Sequence, residues 1–279
     1  MLTGEAKLAG VMGWPVAHSR SPRLHGFWLE KYGIDGAYVP LPVAPEHFAQ
    51  ALRVLSQLGF RGVNVTVPHK EAALKAVDTA DHHARHIGAV NTVIVREDGS
   101  LEGRNTDGIG FLAHLRDQAP AWQPAAGPAV VIGAGGAARA IIATLKDAGV
   151  PEIRLVNRTL ARAETLALAF GAPVKVVPWI NRAGAFRDAT LAVNTTTQGM
   201  HGQAELDIEL IGLAPGAPIF DCVYNPLETP LLAQARQRGF VPIDGLGMLL
   251  HQARPGFKAW FGVDPEITDE LRALVAQGL

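Results

Sequence analysis

Three groups of residues in this 279-residue chain have the types and spacing that chemistry requires. The first closes an apolar run, Asn64-Val-Thr-Val-Pro-His-Lys70, whose tail offers Thr66, His69 and Lys70 in a row. Ligands of open α/β sheets bind at the carboxyl ends of strands, so a lysine there can hold an anion or hand a proton to an oxygen, although a solvated surface suits it equally. The second group is Ser19 and Ser21, two apart in Gly13-Trp-Pro-Val-Ala-His-Ser-Arg-Ser-Pro-Arg-Leu-His25. On extended backbone such hydroxyls point the same way and can grip adjacent oxygens of a polyol or carboxylate. Alternatively one of them caps a helix started by Pro22, a role that suits Ser21 better than Ser19. Gly88-Ala-Val-Asn91-Thr92 and Gly103-Arg-Asn-Thr-Asp107 add polar residues at the edges of apolar runs, and Asp107 could meet Lys70.

The third group is Gly133-Ala134-Gly135-Gly136-Ala137-Ala138, which fits G-x-G-x-x-G/A between an apolar strand at 129–132 and an Ala-rich helix at 137–148. The first glycine permits the turn, the second lets backbone N–H groups approach a pyrophosphate, and the small last residue lets helix and strand pack closely. Where the next strand ends, an NAD site carries an acidic residue for the ribose 2′-hydroxyl. Here the chain reads Asn157-Arg158-Thr159, with Arg162 one short turn on. Two guanidiniums and a hydroxyl suit a 2′-phosphate, through charge-assisted bonds of about 1.5–3 kcal/mol each, and as plain helix-start cations they would oppose the helix dipole. The expected cofactor is NADP. His82 and His86 have the i, i+4 spacing of a helical metal site but lack the H-E-x-x-H form, so a solvated helix face and no metal are expected. Cys222 has no CxxC partner and reads as a small filler.

The elements that must position these groups are legible from periodicity. Residues 7–108 alternate short apolar runs with helical patterns, which reads as βα units. After a Pro-rich loop at 117–128, alternating strands and helices with near-continuous apolar strands predict a doubly wound parallel sheet. Helical segments at 248–261 and 269–276 follow the last strand and are expected to cross back onto the first domain. The expected division is a substrate domain over 1–106, completed by 246–279, and a nucleotide-binding domain over 107–245. Lys plus Arg (25) nearly balance Asp plus Glu (26), a net charge of −1, so no large field gathers nucleic acid or anionic membrane. Hydrophobic residues make up 48% and charged ones 18%, which excludes intrinsic disorder. No run of about 18 apolar residues is present, no secretory signal is visible, and a single cysteine makes a reducing cytoplasm the simplest address.

Taken together, these segments resemble the shikimate dehydrogenase family. The resemblance rests on Ser19-x-Ser21-Pro-x-x-His, Gly62-x-Asn-Val-Thr-x-Pro-x-Lys70, Gly88-Ala-Val-Asn-Thr92, Gly103-x-Asn-Thr-Asp107, Gly133-Ala-Gly-Gly-Ala-Ala138, Asn157-Arg-Thr159, Asn194-x-Thr196-x-x-Gly-Met200, Asp221-x-x-Tyr224-x-Pro and Gly247-Met-Leu-x-x-Gln252, in the family's order. It implies two α/β domains with a cleft between them, and a small-molecule substrate reduced reversibly by NADPH, 3-dehydroshikimate giving shikimate. It further implies that Ser19, Ser21, Thr66, Asn91, Asp107 and Gln252 hold the substrate, and that Lys70 and Asp107 form the catalytic pair. By the same resemblance Tyr224, Gly245 and Met248 lie near the nicotinamide and the reacting carbon, with Thr196 on the cofactor side. Two serines, neither replaced by threonine, suit shikimate better than quinate. A broader quinate/shikimate enzyme and a non-catalytic NADP-binding sensor remain alternatives, and the assembly is expected to be a monomer or a homodimer. Gly26, where many members have Asn, and Trp260-Phe-Gly262, in place of Trp-Thr-Gly, depart from the pattern without touching a matched catalytic position.

Overall fold

A computed structural model describes residues 2–279. The chain forms two compact units, one made of the residues up to Asp107 together with Leu249–Gln277, the other of Gly108–Met248 with the last two residues.

The first unit is built on β1 (Lys7–Gly13), β2 (Gly36–Pro42), β3 (Phe60–Val65), β4 (Thr79–Ala80), β5 (Thr92–Val95) and β6 (Leu101–Arg104), with α1 (Ser21–Lys31), α2 (Phe48–Arg53), α3 (Lys70–Ala76) and α4 (His82–Ile87) between them. The sheet order is β2-β1-β3-β5-β6-β4. β1 runs parallel to β2 and β3, as the βα reading expects, but β5 is antiparallel to both β3 and β6. That reversal is a hairpin across Arg96-Glu-Asp-Gly-Ser100, whose Asp98 accepts from both the amide (2.9 Å) and the hydroxyl (2.6 Å) of Ser100. The Asp-Gly pair is the turn signal that marks it. In consequence the ends of β1, β3 and β6 and the beginning of β5 all fall on the same edge of the sheet. Val63, Val65, Val90 and Val93 are buried with Phe48, Leu52 and Leu101, fixing the strands from which that edge projects.

After Asp107, the first residue of α5 (Asp107–Gln118), the second unit takes the rest of that helix and continues through β7 (Ala129–Ile132), α6 (Gly136–Asp147), β8 (Ile153–Asn157), α7 (Leu160–Phe170), β9 (Val174–Pro178), β10 (Leu191–Asn194), β11 (Pro218–Asp221), α8 (Pro230–Gln237) and β12 (Val241–Ile243). All its strand pairs are parallel, in the order β12-β11-β10-β7-β8-β9. Counted from β7 this is 3-2-1-4-5-6 read from the far edge, the dinucleotide-binding order, with its switch point between β7 and β10. Every residue of β7, β10 and β11 is buried, as strands covered on both faces must be. α9 (Gly245–Phe261) and α10 (Asp269–Ala276) end the chain. From α9 the Trp260 indole donates to the Val93 carbonyl (3.0 Å), and from α1 the Trp28 indole donates to the Glu266 carbonyl (2.9 Å). Arg20 and Arg23 of the α1 region donate to the Gln277 carbonyl just after α10, at 2.8 and 3.1 Å. Among the described residues no helix is long and apolar enough to cross a membrane.

Candidate active site

Lys70 is the first residue of α3, two residues beyond a turn that follows β3, and Asp107 follows β6. Both strands end on the shared edge, so the side chains meet: Lys70 Nζ donates to Asp107 Oδ2 at 2.5 Å, with only 20% and 9% of the two side chains exposed. The second carboxylate oxygen accepts from Asn91 Nδ2 at 2.8 Å, and Asn91 lies just ahead of β5 on the same edge. Asn91 Nδ2 also points at Thr106 Oγ1 (3.0 Å) and at Gln252 Oε1 (3.3 Å), so α9 brings Gln252 to a residue 161 positions away in sequence. The Asp107 amide donates to Asn105 Oδ1 (3.1 Å), and Asn105 Nδ2 donates to the Ala89 carbonyl (2.9 Å), which pins the backbone beneath the carboxylate. A charged pair with both carboxylate oxygens satisfied is held in one geometry.

Thr66 stands at the end of β3 with its amide donating to the Met12 carbonyl (2.9 Å), so it too lies on this edge. Ser21 opens α1 and is buried, whereas Ser19 is half-buried and its Oγ accepts from the Ser21 amide at 3.3 Å. The local cap-like bond expected of Ser21 is therefore made by Ser19. His69 does not join the row with Thr66 and Lys70. It is buried, stacked on Phe48 with centroids 4.4 Å apart, and bonded through Nε2 to the Val43 carbonyl at 2.7 Å, which makes it a packing residue.

In the second unit the glycine turn joins β7 to α6. Gly133 has φ +108°, and a Cβ there would lie 2.5 Å from Thr195 Oγ1 and 2.9 Å from Thr196 Cγ2, so the turn and the end of β10 close on each other. A Cβ on Gly135 would meet nothing within 4 Å, and Gly135 precedes α6 with no side chain capping the helix. Open space in front of uncapped backbone amides is what a pyrophosphate needs. At the end of β8, Asn157 Nδ2 donates to the Thr159 carbonyl (2.8 Å), shaping the loop; Arg158, Thr159 and Arg162 are exposed, and Thr159 precedes α7 without spending its side chain on the cap. Neither guanidinium has an ion-pair partner among the described residues. No carboxylate stands at this strand end to repel a 2′-phosphate, so the residues present fit NADP.

Sequence reasoning did not single out Asp221 as a structural centre. It is fully buried at the end of β11, and burial pushes its carboxyl up to about 6 against three donors: Thr229 Oγ1 (2.7 Å), the Val223 amide (3.0 Å) and Asn194 Nδ2 (2.9 Å). Asn194 Oδ1 in turn takes the Thr196 amide (3.0 Å) and hydroxyl (2.8 Å). One carboxylate thus ties the loop carrying Thr196 to the loop carrying Tyr224. Gly245 and Met248 are buried in the first turn of α9, where a Cβ on Gly245 would lie 2.3 Å from the Cys222 carbonyl.

Comparisons with known proteins place the chain in a family. Residues 11–93 match the model of the shikimate dehydrogenase substrate binding domain, and residues 122–198 that of shikimate / quinate 5-dehydrogenase. A shikimate dehydrogenase (NADP(+)) of Paramagnetospirillum magneticum is 61% identical over 98% of this chain and 99% of its own. The chain belongs to the shikimate dehydrogenase family. Among solved structures, shikimate 5-dehydrogenase of Thermus thermophilus in complex with NADP(H) and shikimate has a TM-score of 0.86 at 37% identity, covering 98% of this chain and 100% of that one. Quinate dehydrogenase of Corynebacterium glutamicum in complex with NAD has a TM-score of 0.89 at 28% identity, covering 96% of this chain and 98% of that one. Within this shikimate dehydrogenase fold, His82 and His86 are exposed on α4 with their rings stacked, and no group of three or more potential ligands holds a metal-binding arrangement among the described residues.

Proposed function

We propose that this chain catalyses the reversible, NADPH-dependent reduction of 3-dehydroshikimate to shikimate. The observation that carries the reading is the Lys70–Asp107 pair, bonded through Asn91 to Gln252 and with Thr66 on the same strand-end edge; to it we add the hydroxyls of Ser19 and Ser21 at the start of α1. A cyclitol acid offers a carboxylate and several hydroxyls, and this set offers hydroxyls, amides and one cation. Such a site rejects analogues lacking a hydroxyl, because its own buried polar groups are then left unpaired. NADPH supplies the hydride when bound, held through the Gly133–Ala137 turn and, at its 2′-phosphate, by Arg158, Thr159 and Arg162, with Thr196, Gly245 and Met248 on the nicotinamide side.

Hydride addition to the C3 carbonyl carbon leaves negative charge on its oxygen. Lys70 Nζ stabilises that oxygen and gives it a proton; in the reverse direction it takes the hydroxyl proton back. Asp107 Oδ2 orients the ammonium and Asn91 fixes Asp107. We read the protein as a cytoplasmic monomer or homodimer acting on small molecules, without a nucleic-acid or membrane partner. A sensor would need the cofactor site but not the ion pair, so the pair counts against that alternative.

The test is the initial rate of absorbance change at the NADPH band, with shikimate or quinate and NADP or NAD in all four combinations. Fast turnover with shikimate and NADP alone is the expected outcome. Preference for quinate would overturn the substrate reading, preference for NAD the role of Arg158 and Arg162, and no turnover in any combination the enzymatic reading itself.

A further inference from the structure

Behind the Lys70–Asp107 pair runs a line of buried polar side chains, of which Tyr38, Asn64 and Thr92, on β2, β3 and β5, take no part in the chemistry above. Tyr38 OH donates to Asn64 Oδ1 at 2.7 Å, and Asn64 Nδ2 donates to Thr92 Oγ1 at 3.2 Å. Thr92 Oγ1 donates to Asn91 Oδ1 at 3.0 Å, and Asn91 Nδ2 donates to Asp107 Oδ1 at 2.8 Å. All five residues are less than a tenth exposed.

The direction of this line is fixed by two backbone groups. Asn64 Nδ2 also reaches the Asn91 carbonyl (3.2 Å), which can only accept, so the amide oxygen must face Tyr38. Asn91 Oδ1 also takes the Thr106 amide (2.9 Å), which can only donate, so its NH2 must face Asp107. Thr92 receives a hydrogen from Asn64 and gives its own to Asn91 Oδ1 at 3.0 Å, the nearer of two acceptors, the other being Thr106 Oγ1 at 3.4 Å. Every dipole therefore points toward the Asp107 carboxylate, and aligned bonds in a low-dielectric interior reinforce one another. Burial holds the Tyr38 phenol well above its ordinary range, so it stays a donor, and Ser21 is a second hydrogen-bond partner of its oxygen.

We propose that Tyr38, Asn64 and Thr92 are positioning residues that lock the Asn91 amide and, through it, hold Asp107 in the orientation that aims Lys70. The proposal rests on the reading of Lys70 and Asp107 as the catalytic pair.

Isosteric changes test it with little risk to folding. Tyr38→Phe keeps the ring stacked 3.9 Å from His25, and Thr92→Val keeps the side-chain shape. Each is expected to lower kcat roughly five- to ten-fold, about the worth of one buried hydrogen bond, with the Kd for NADPH unchanged. Thr92→Ser restores the hydroxyl and is expected to restore kcat to within about two-fold of the parent. Because the residues act in series, the Tyr38→Phe/Thr92→Val double variant should lose little more than the worse single variant. If Lys70→Ala abolishes turnover while Tyr38→Phe and Thr92→Val keep parental kcat, the line does not position the pair and the proposal falls. Fully additive losses, or a loss in Thr92→Ser equal to that in Thr92→Val, overturn it as well. Parental kcat in Lys70→Ala would instead bring down the catalytic-pair reading on which it stands.

Discussion

Lys70 is the residue whose removal should separate chemistry from binding. Its ammonium donates to Asp107 on the strand-end edge, and a positioned proton donor contributes about 10²–10⁴-fold to a rate. Lys70→Ala should lose kcat on that scale while the KM for shikimate changes far less; a parental kcat would sink the assignment. Arg158 and Arg162 act on a different quantity. Both are exposed and, among the described residues, without an ion-pair partner, and on the proposed reading their contribution is confined to the 2′-phosphate. Arg158→Ala and Arg162→Ala should each raise the KM for NADP roughly ten-fold or more and leave the KM for NAD in place, since NAD offers them nothing to bond. Equal effects on both cofactors would show that they serve the fold and not the phosphate.

At the scale of elements, the β7 turn α6 unit makes two glycines distinguishable. Gly133 has φ +108° and no room for a Cβ against Thr195 and Thr196, so Gly133→Ala should destabilise the second unit by about 1–3 kcal/mol, read as a lower thermal midpoint. Gly135 has extended backbone and open space, so Gly135→Ala should leave the midpoint within a degree or two while weakening NADP binding by intruding where, on the proposed reading, the pyrophosphate would lie. The same folding outcome for both would refute the contrast. This unit was the most legible part of the sequence because its signals are local: turn, helix start and strand end lie within one βαβ stretch. The first unit was less so. Its β5–β6 hairpin is marked only by Asp98-Gly99, and the antiparallel pairing it produces is what carries Asn91 to the edge shared with Lys70 and Asp107. Tyr38, Asn64 and Thr92 look like ordinary strand residues until three strands are laid side by side. Asp221 hides for the same reason, since its partners Asn194 and Thr229 come from another strand and from a helix start.

On the scale of the whole molecule, the two units carry opposite responses to acid. In the first, burial drives the His25 imidazole down to about 3, enclosed by Tyr38, Trp28, Phe257 and Trp260. The unfolded chain protonates this histidine below about 6.5, the folded unit refuses the proton, and stability is lost as the pH falls through that window. In the second, burial raises Asp221 to about 6, so between about 6 and 4 the folded unit holds a proton that the unfolded chain has released, and stability grows as the pH falls. Each group is worth about 1.4 kcal/mol per pH unit inside its window. The carboxylates held low by their bonds to Arg53, Ser100, Lys175 and Lys258, namely Asp78, Asp98, Glu152 and Asp264, give up their contribution only nearer pH 4. From pH 6 to pH 4.5, amide protection should therefore decline in the first unit and rise in the second, while a global scan, summing the two, shows little change. His25→Phe should flatten the first slope alone and Asp221→Asn the second alone. Parallel slopes in both units, or slopes that survive these substitutions, would mean that other groups govern the response, whereas the divergence would show that this fold balances two buried titrations of opposite sign, one in each unit.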